Sequence, residues 1–382
     1  ARDTWIAGYP AMVPMIDIHT IGAGGGSIAR IDAGGAFRVG PQSAGSQPGP
    51  AAYGRGGTAP TVTDANLVLG RLDKDNFLGG EMPLDDTAAR QVIHELATRL
   101  RLSDIEAAEG IVTIVNNNMA NAIRSRTVQK GIDPREYALV AFGGAGPLHG
   151  AEVARMLGIP TCIVPSFPGL TSALGLLTTD LKYDAIKTAF QVHPGLDYPQ
   201  LNADLAEMEH SLGQQFMRDG IDHACVTFER YADARYVGQG YELRVAIPDG
   251  VLNEENMQQM VAAFHRQHKT EYGHYFVNSP LELVNIRITG IGPTQKIQHL
   301  VPPTGGSLRE ALVKTDQCVF RVRDGLTTLQ TAFYRRAQLP IGESFAGPAI
   351  ILQPDSTTVI PPDCCSQLDE HGNLILTIGG GV

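Results

Sequence analysis

Apolar residues Ala89, Val92, Ile93, Leu96 and Leu100 recur at helical spacing and predict an amphipathic helix from Asp85 to about Leu100. A second helix is predicted from Ser103, where Glu106 three residues on completes a capping-box pattern. Its apolar stripe runs through Ile111, Val112, Val115, Met119 and Ile123, and Gly131 is a natural C-cap. The opposite face carries Asn117, Asn121 and Arg124. Asn116, Asn117 and Asn118 are poor helix formers, so this face reads either as solvated or as the wall of a pocket. Tyr137–Phe142 is a short apolar run, Gly143–Gly146 a turn, and Pro147 suits the first turn of a helix ending near Gly158. With Thr161–Val164 as the next strand, this is a βαβ unit and predicts a parallel sheet. Ligands of such sheets sit at the carboxyl ends of strands, where the Gly143–Gly146 turn falls.

Upstream, Ile28–Ile31 and Ala36–Val39 predict a hairpin around Asp32-Ala33-Gly34-Gly35. An irregular, proline- and glycine-rich stretch follows from Pro41 to Pro60. The texture changes after about Asp184. A helix is predicted around Tyr198–Met217, then a strand over Cys225–Val237. Gly238-Gln239-Gly240 turns the chain into a second strand, Tyr241–Ile247, and a helix is predicted over Asn253–Tyr272. The remainder is strand-rich: Leu281–Ile291, Cys318–Val322, Thr327–Tyr334, Ala349–Leu352, Thr358–Ile360 and Leu374–Ile378. The expected division is 1–185 and 186–382, an α/β domain followed by a strand-rich α+β domain.

Composition narrows the classes. A formal charge of −10 argues against nucleic acid as the main partner. No run of about 18 apolar residues exists, so no membrane span is expected. The five cysteines are scattered apart from Cys364-Cys365, and none has CxxC spacing. A disulfide framework and a zinc knuckle are therefore not expected, and a reducing cytoplasm fits. The 43 glycines concentrate in the first 180 residues, which implies many tight turns and close backbone approaches there.

Two glycine segments carry the candidate chemistry. The first runs from Asp17 and His19 into Gly24-Gly25-Gly26-Ser27, a substrate-contact candidate because a bare backbone can cradle an anion. On a strand, Asp17 and His19 would share one face. With His149, in the first turn of the helix after the second segment, they form a candidate site for zinc, iron or manganese. Read singly, each histidine is a packing or hydrogen-bonding residue. The second segment, Gly143-Gly144-Ala145-Gly146, can receive a phosphate or adenosine group at a helix N-terminus. It matches neither a Walker motif nor GxGxxG. Arg55, among the glycines of Tyr53-Gly-Arg-Gly-Gly57, can clamp a carboxylate or phosphate, or is a surface arginine. Thr61, Thr63 and Asp64 read either as ligands of a substrate or metal or, for Asp64, as the N-cap of a following helix; the cap is the expectation. Ser27 lacks the context of an exposed nucleophile. Both glycine segments are expected to enclose one cavity.

Several motifs together resemble the hydantoinase A/5-oxoprolinase family: Asp17-Ile-His-Thr-Ile-Gly-Ala-Gly-Gly-Gly-Ser27, Gly40-Pro-Gln-Ser-Ala-Gly45, Pro48-Gly-Pro50, Tyr53-Gly-Arg-Gly-Gly57 and Pro60-Thr-Val-Thr-Asp-Ala-Asn66. So do Phe142-Gly-Gly-Ala-Gly-Pro-Leu-His149, Ala173-Leu-Gly-Leu176, Arg235-Tyr-Val-Gly-Gln-Gly-Tyr-Glu-Leu243 and Gln353-Pro-Asp-Ser-Thr-Thr358. The resemblance covers essentially the whole chain. It implies ATP- and Mg2+-dependent hydrolysis of cyclic amides, by phosphorylation of the substrate oxygen, with Asp17, His19 and Arg55 as catalytic candidates. It equally allows a subunit of an acetone- or acetophenone-type carboxylase, whose substrate is a ketone, or a non-catalytic assembly subunit. It also implies a hydantoinase B-type partner and a partial actin-like (ribonuclease H-like) nucleotide-binding lobe, with Gly143–Gly146 resembling the adenosine-contacting loop. The family's Gly-x-Asp-x-Gly-Gly-Thr and Asp-x-Gly-Gly-Thr phosphate loops are absent. The sequence therefore resembles the C-terminal portion of such a protein. Either another chain or an N-terminal hydantoinase A portion supplies those loops, or ATP use has been lost.

Overall fold

The computed structural model describes residues 18–296, 306–323 and 325–379, together with the backbone of 4–6 and 9–11. Along the chain lie β1 (Thr4–Ile6), β2 (Tyr9–Ala11), β3 (Ser27–Ile31), β4 (Phe37–Ser43), α1 (Val62–Val68), α2 (Asp86–Leu100) and α3 (Asp104–Arg126). Next come β5 (Leu139–Val140), α4 (Gly146–Leu157), β6 (Thr161–Val164), α5 (Thr171–Thr178), β7 (Leu181–His193), α6 (Tyr198–Arg218), β8 (Thr227–Tyr236), β9 (Leu243–Ala246), α7 (Glu254–Tyr272) and β10 (Leu281–Gly292). The chain closes with α8 (Leu308–Ala311), β11 (Leu312–Val322), β12 (Gly325–Arg335), β13 (Ser344–Ala346), β14 (Ala349–Leu352), β15 (Thr357–Ile360), β16 (Cys365–Leu368) and β17 (Leu374–Thr377). The fold is mixed α/β with several sheets. None of the described helices is long and apolar enough to cross a membrane.

The chain divides into two compact units, 1–174 with 299–382, and 175–298. In the first unit, a five-stranded sheet runs β13-β16-β17-β6-β5, and a four-stranded sheet runs β11-β12-β14-β15. The C-terminal strands thus share a sheet with β6: Leu374 pairs with Val164 and Leu376 with Cys162. The expected βαβ unit exists, with β5 and β6 parallel across α4. The rest of that sheet is antiparallel, however, so the parallel pairing is confined to one edge.

Local chemistry explains the helix starts. Ser103 caps α3 and Glu106 returns to the Ser103 backbone, as the spacing predicts. At α1 the cap is Thr61, and Asp64 is the third helical residue of a capping box. That corrects the reading of Asp64 as N-cap: Thr-x-x-Asp is itself a capping box. Helices α1, α2 and α3 close over a core that includes Val62, Ala65, Ile93, Leu96, Ile111 and Val115. Burying these side chains supplies most of what holds the helices, at about 1.5–3 kcal/mol for each large one. Helix α4 packs in a second core with Val164, Ile351, Ile360 and Leu376.

The second unit is a sheet of order β7-β10-β8-β9. Its core joins Leu201, Leu205 and Leu212 of α6 and Met257, Met260 and Phe264 of α7 to Ile286 and Ile288 of β10. Strand β7 was not expected from the sequence. Lys187 falls at a position that should be apolar, and it pairs there with Asp204 and Glu207 of α6.

Candidate functional site

The first glycine segment is a packed turn. Ser27 begins β3 and is buried; its hydroxyl donates to Gly22 O at 3.2 Å and accepts from Gly24 N–H at 3.0 Å. Thr63 donates to Gly25 O from both its amide (2.9 Å) and its hydroxyl (3.0 Å). A Cβ on Gly25 would lie 2.7 Å from Thr63 Oγ1, and one on Gly26 2.7 Å from Ser43 Oγ, so a side chain at either position would displace a hydroxyl. Gly24 alone of the three faces open space.

Three motif segments meet at this turn. The Asp64 carboxylate is fully buried and accepts from Ala52 N–H at 2.7 Å, Thr61 N–H at 2.8 Å and the Thr61 hydroxyl at 2.7 Å. Burial raises its pKa, and the Thr61 and Ala52 donors oppose that rise. All these oxygen contacts are internal, so Asp64 holds the Ala51–Tyr53 turn to α1. Burial likewise raises the Tyr53 pKa, opposed by a hydrogen bond with Thr63. Arg55 is exposed, with Nη1 donating to Ser46 O at 3.4 Å and Nη2 3.6 Å from Met82 Sδ.

Of the candidate metal residues, Asp17 lies outside the described residues. His19 is exposed on a segment without regular structure, not on a strand, and its Nδ1 is 3.2 Å from Arg126 Nη2. His149 is 1% exposed, with Nδ1 2.7 Å from Asn116 Oδ1 and Nε2 buried without a partner. Burial, then the Arg71 guanidinium, pushes its pKa down to about 4. Asn116 and Arg126 are ten residues apart on α3, about 15 Å of helix axis. The two histidines thus have different partners on α3, and among the described residues no contact joins them. Among the described residues, no group of three or more His, Cys, Asp or Glu side chains is arranged to hold a metal.

The second glycine turn is stitched into a larger wall. Gly143, at φ +85°, donates its N–H to Pro168 O at 2.7 Å. Ser356 donates to Gly144 O at 3.2 Å, Gly169 N–H donates to Asp355 Oδ2 at 2.8 Å, and Gln353 Nε2 donates to Ser166 O at 3.0 Å. Helix α4 begins at Gly146 with Ala145 as N-cap, which offers no side-chain acceptor. Pro147 has no N–H and Leu148 N–H donates to Ala145 O at 3.2 Å, so what the helix start offers an anion is the positive end of its dipole. Gly150 lets α4 sit close to the sheet, since a Cβ there would lie 2.7 Å from Ala141 Cβ and 2.9 Å from Cys162 Sγ.

Behind the residues that brace this turn is a cavity of about 540 Å³, lined among others by Phe167, Leu170, Leu352, Gln353, Asp355 and Leu368 but by none of Gly143–Gly146. Arg336 underlies it, donating to Val164 O, Gly372 O and Gln353 Oε1. Burial lowers its pKa to about 10. The volume is ordinary for a small-molecule site, and an apolar wall with a few polar edges suits a nucleoside. The sequence reading left Phe167–Leu170 and Arg336 unassigned and noted Gln353–Ser356 only as part of the resemblance.

A separate cavity of about 630 Å³ adjoins the first segment, between the β3–β4 hairpin and α3. The two cavities share no lining residue, and none of Gly24–Ser27 or Gly143–Gly146 lines either of them.

Comparison with known proteins gives a consistent set of matches. The hydantoinase/oxoprolinase family profile matches residues 1–185, and the hydantoinase/oxoprolinase C-terminal domain profile matches 197–377. The chain is 36% identical over 375 residues to uncharacterized protein MJ0964 of Methanocaldococcus jannaschii, covering 96% of this chain and 52% of that protein. It is 33% identical over 390 residues to caprolactamase subunit alpha of Pseudomonas jessenii, covering 99% and 55%. The crystal structure of that organism's ATP-dependent caprolactamase matches with a TM-score of 0.75, at 32% identity over 99% of this chain and 55% of that one. The nucleotide-free structure of acetone carboxylase, from work on ATP-dependent acetone carboxylation, matches with a TM-score of 0.87, at 26% identity over 98% and 54%. The chain spans about half the length of these relatives.

Proposed function

We propose, from the premise that the chain belongs to the hydantoinase/oxoprolinase family, that it is part of an ATP-dependent hydrolase of small cyclic amides. The supporting observation is the glycine turn at Gly143–Gly146. It precedes a helix without a side-chain cap, and Phe167 and Asp355, next to its bracing partners Pro168 and Ser356, line a cavity of nucleoside size. In this reading Gly143, Gly144, Ala145 and Gly146 contact the nucleotide, and Ser356 and Asp355 hold the turn and the facing Gly169 loop in place. The α4 N-terminus turns its positive end toward phosphate. When bound, ATP supplies a phosphoryl group that makes the amide oxygen a better leaving group.

Gly24, with open space beside it, is assigned a substrate contact, and exposed Arg55 an anionic group. We assign the phosphate loops to a hydantoinase A portion outside this sequence and ring opening to a hydantoinase B-type partner; the relative from Pseudomonas jessenii is itself named as a subunit. Among the described residues no group of three or more His, Cys, Asp or Glu side chains fits a metal.

The second reading is an ATP-dependent ketone carboxylase subunit. It is favoured by the higher TM-score to acetone carboxylase, 0.87 against 0.75. Measuring ADP release by the assembled protein with 5-oxoproline, hydantoin, caprolactam, or acetone plus bicarbonate separates the two. Stimulation by a cyclic amide with ring opening is expected. Stimulation by acetone plus bicarbonate alone would replace the hydrolase reading with the carboxylase one.

A further inference from the structure

The cavity between the β3–β4 hairpin and α3 is not used by the nucleotide reading, and its chemistry is specific. Arg30 lines it, partly buried, with Nη1 anchored to Gly40 O at 2.9 Å. No carboxylate among the described residues pairs with Arg30. Arg38, also in the wall, is neutralised by Asp32 at 3.0 Å. On the opposite wall, Asn121 accepts from Arg124 Nη1 at 2.9 Å through Oδ1, so its NH2 group remains a donor. Arg124, which does not line the cavity, donates also to the Met156 carbonyl at 2.7 Å and holds the Asn121 side chain in place. Asn118 spends its NH2 on Val39 O at 3.2 Å and keeps a carbonyl free. Ile21, Ile114 and Pro41 supply apolar surface. On a protein of net charge −10 this is a local donor-rich, cationic groove with a greasy floor.

We propose that this groove binds a small organic acid, with its carboxylate on Arg30 and the Asn121 amide and its short apolar body against Ile21 and Ile114. A guanidinium already fixed by one backbone bond loses little freedom on taking a carboxylate, and charge-assisted hydrogen bonds are the strong ones. Two sources share this chemistry, and naming them rests on the hydrolase reading. One is a cyclic amide that already carries a carboxylate. The other is the product, because water added across a ring amide breaks the C–N bond and leaves a carboxylate and an amine.

The test is calorimetric titration of the assembled protein with 5-oxoproline, 4-aminobutanoate, butanoate and the neutral lactam 2-pyrrolidinone. At least one carboxylate should bind about 10-fold or more tightly than 2-pyrrolidinone, and Arg30→Gln should weaken it by about 10–100-fold. Tighter binding of 5-oxoproline identifies the ring-closed source, and tighter binding of 4-aminobutanoate, which ring opening of 2-pyrrolidinone gives, the product. Asn121→Ala, at an exposed helical position where alanine is well tolerated, should weaken the same ligand without disturbing folding. Equal binding of the neutral lactam, or unchanged carboxylate affinity in Arg30→Gln, overturns the proposal. ADP release is read separately: absence of any cyclic-amide stimulation with carboxylate binding intact would sink the hydrolase reading alone.

Discussion

Acid should destabilise this protein in part through a single imidazole. His149 is 1% exposed on the first turn of α4, and its Nδ1–H donates to Asn116 Oδ1 at 2.7 Å. A proton added to Nε2 would be buried with no acceptor and would face the Arg71 guanidinium. Burial first, and Arg71 second, take the pKa from 6.5 to about 4. The unfolded chain takes up this proton near pH 6.5, and the folded chain does so only near pH 4. Stability from this group is thus full above pH 6.5 and drains as pH falls toward 4, at up to about 1.4 kcal/mol per pH unit. Integrated from pH 7 to pH 5, the loss is about 2 kcal/mol, a sizeable part of a total near 5–15 kcal/mol. Urea midpoints at pH 7, 6 and 5 should show this loss in the wild type. In His149→Gln they should show a profile flatter by about 2 kcal/mol, whatever the variant's lower starting stability. Parallel profiles for the two proteins would refute the reasoning. So would an NMR titration in which the His149 ring protonates near pH 6.5.

The other predictions concern packing, a buried charge and the nucleotide turn. Gly150→Ala places a methyl 2.7 Å from Ala141 Cβ and 2.9 Å from Cys162 Sγ; the expected cost is about 1–3 kcal/mol, read as a lower Tm. Arg71→Met removes the 2.9 Å partner of buried Glu109 and two donors to Val319 O, leaving Glu109 with Arg321 at 3.7 Å. A loss of about 3 kcal/mol is expected in urea denaturation, with much of it recovered when Glu109→Met is added. Ser356→Ala deletes the hydroxyl that donates to Gly144 O. ATP should bind several-fold more weakly while stability falls by only about 1 kcal/mol; an unchanged Kd for ATP would count against the nucleotide assignment.

The helix frame was legible because its signals are local. Ser103 and Glu106, three residues apart, fix the start of α3 without reference to the rest of the fold. The same spacing at Thr61 and Asp64 was misassigned only because a lone aspartate before an apolar run also suits an N-cap. Long-range partners leave no such trace. Ser356 supports Gly144 across 212 positions, and nothing in Gln353–Ser356 alone indicates which loop it will reach. Strand β7 was hidden for a physical reason of another kind. Lys187 occupies an inward position, with its ammonium neutralised by two carboxylates of α6, so the hydrophobic alternation that marks a strand is broken.

Asn116, Asn117 and Asn118 show why two glycine segments in one sequence do not imply one pocket. Successive helical residues turn by about 100°, so three neighbours point three ways. Asn116 is buried against His149 of α4. Asn117 is exposed and bonds back to Thr113 O at 3.0 Å. Asn118 reaches the hairpin at Val39 O. On the face that carries Asn117, Asn121 and Arg124, Asn117 is exposed and Asn121 lines the hairpin cavity, so the solvated and pocket-wall readings each hold at one position. Asn116 and Asn118 lie about 200° apart around the axis, so α3 stands between the helix that follows the second glycine turn and the hairpin that follows the first. Each segment is bare backbone for its own reason: Gly25 and Gly26 to admit Thr63 and Ser43, Gly143 to hold a left-handed turn beneath α4. Composition reveals the requirement for glycine, but only the neighbours of each Cα say whether a ligand or another part of the chain imposed it.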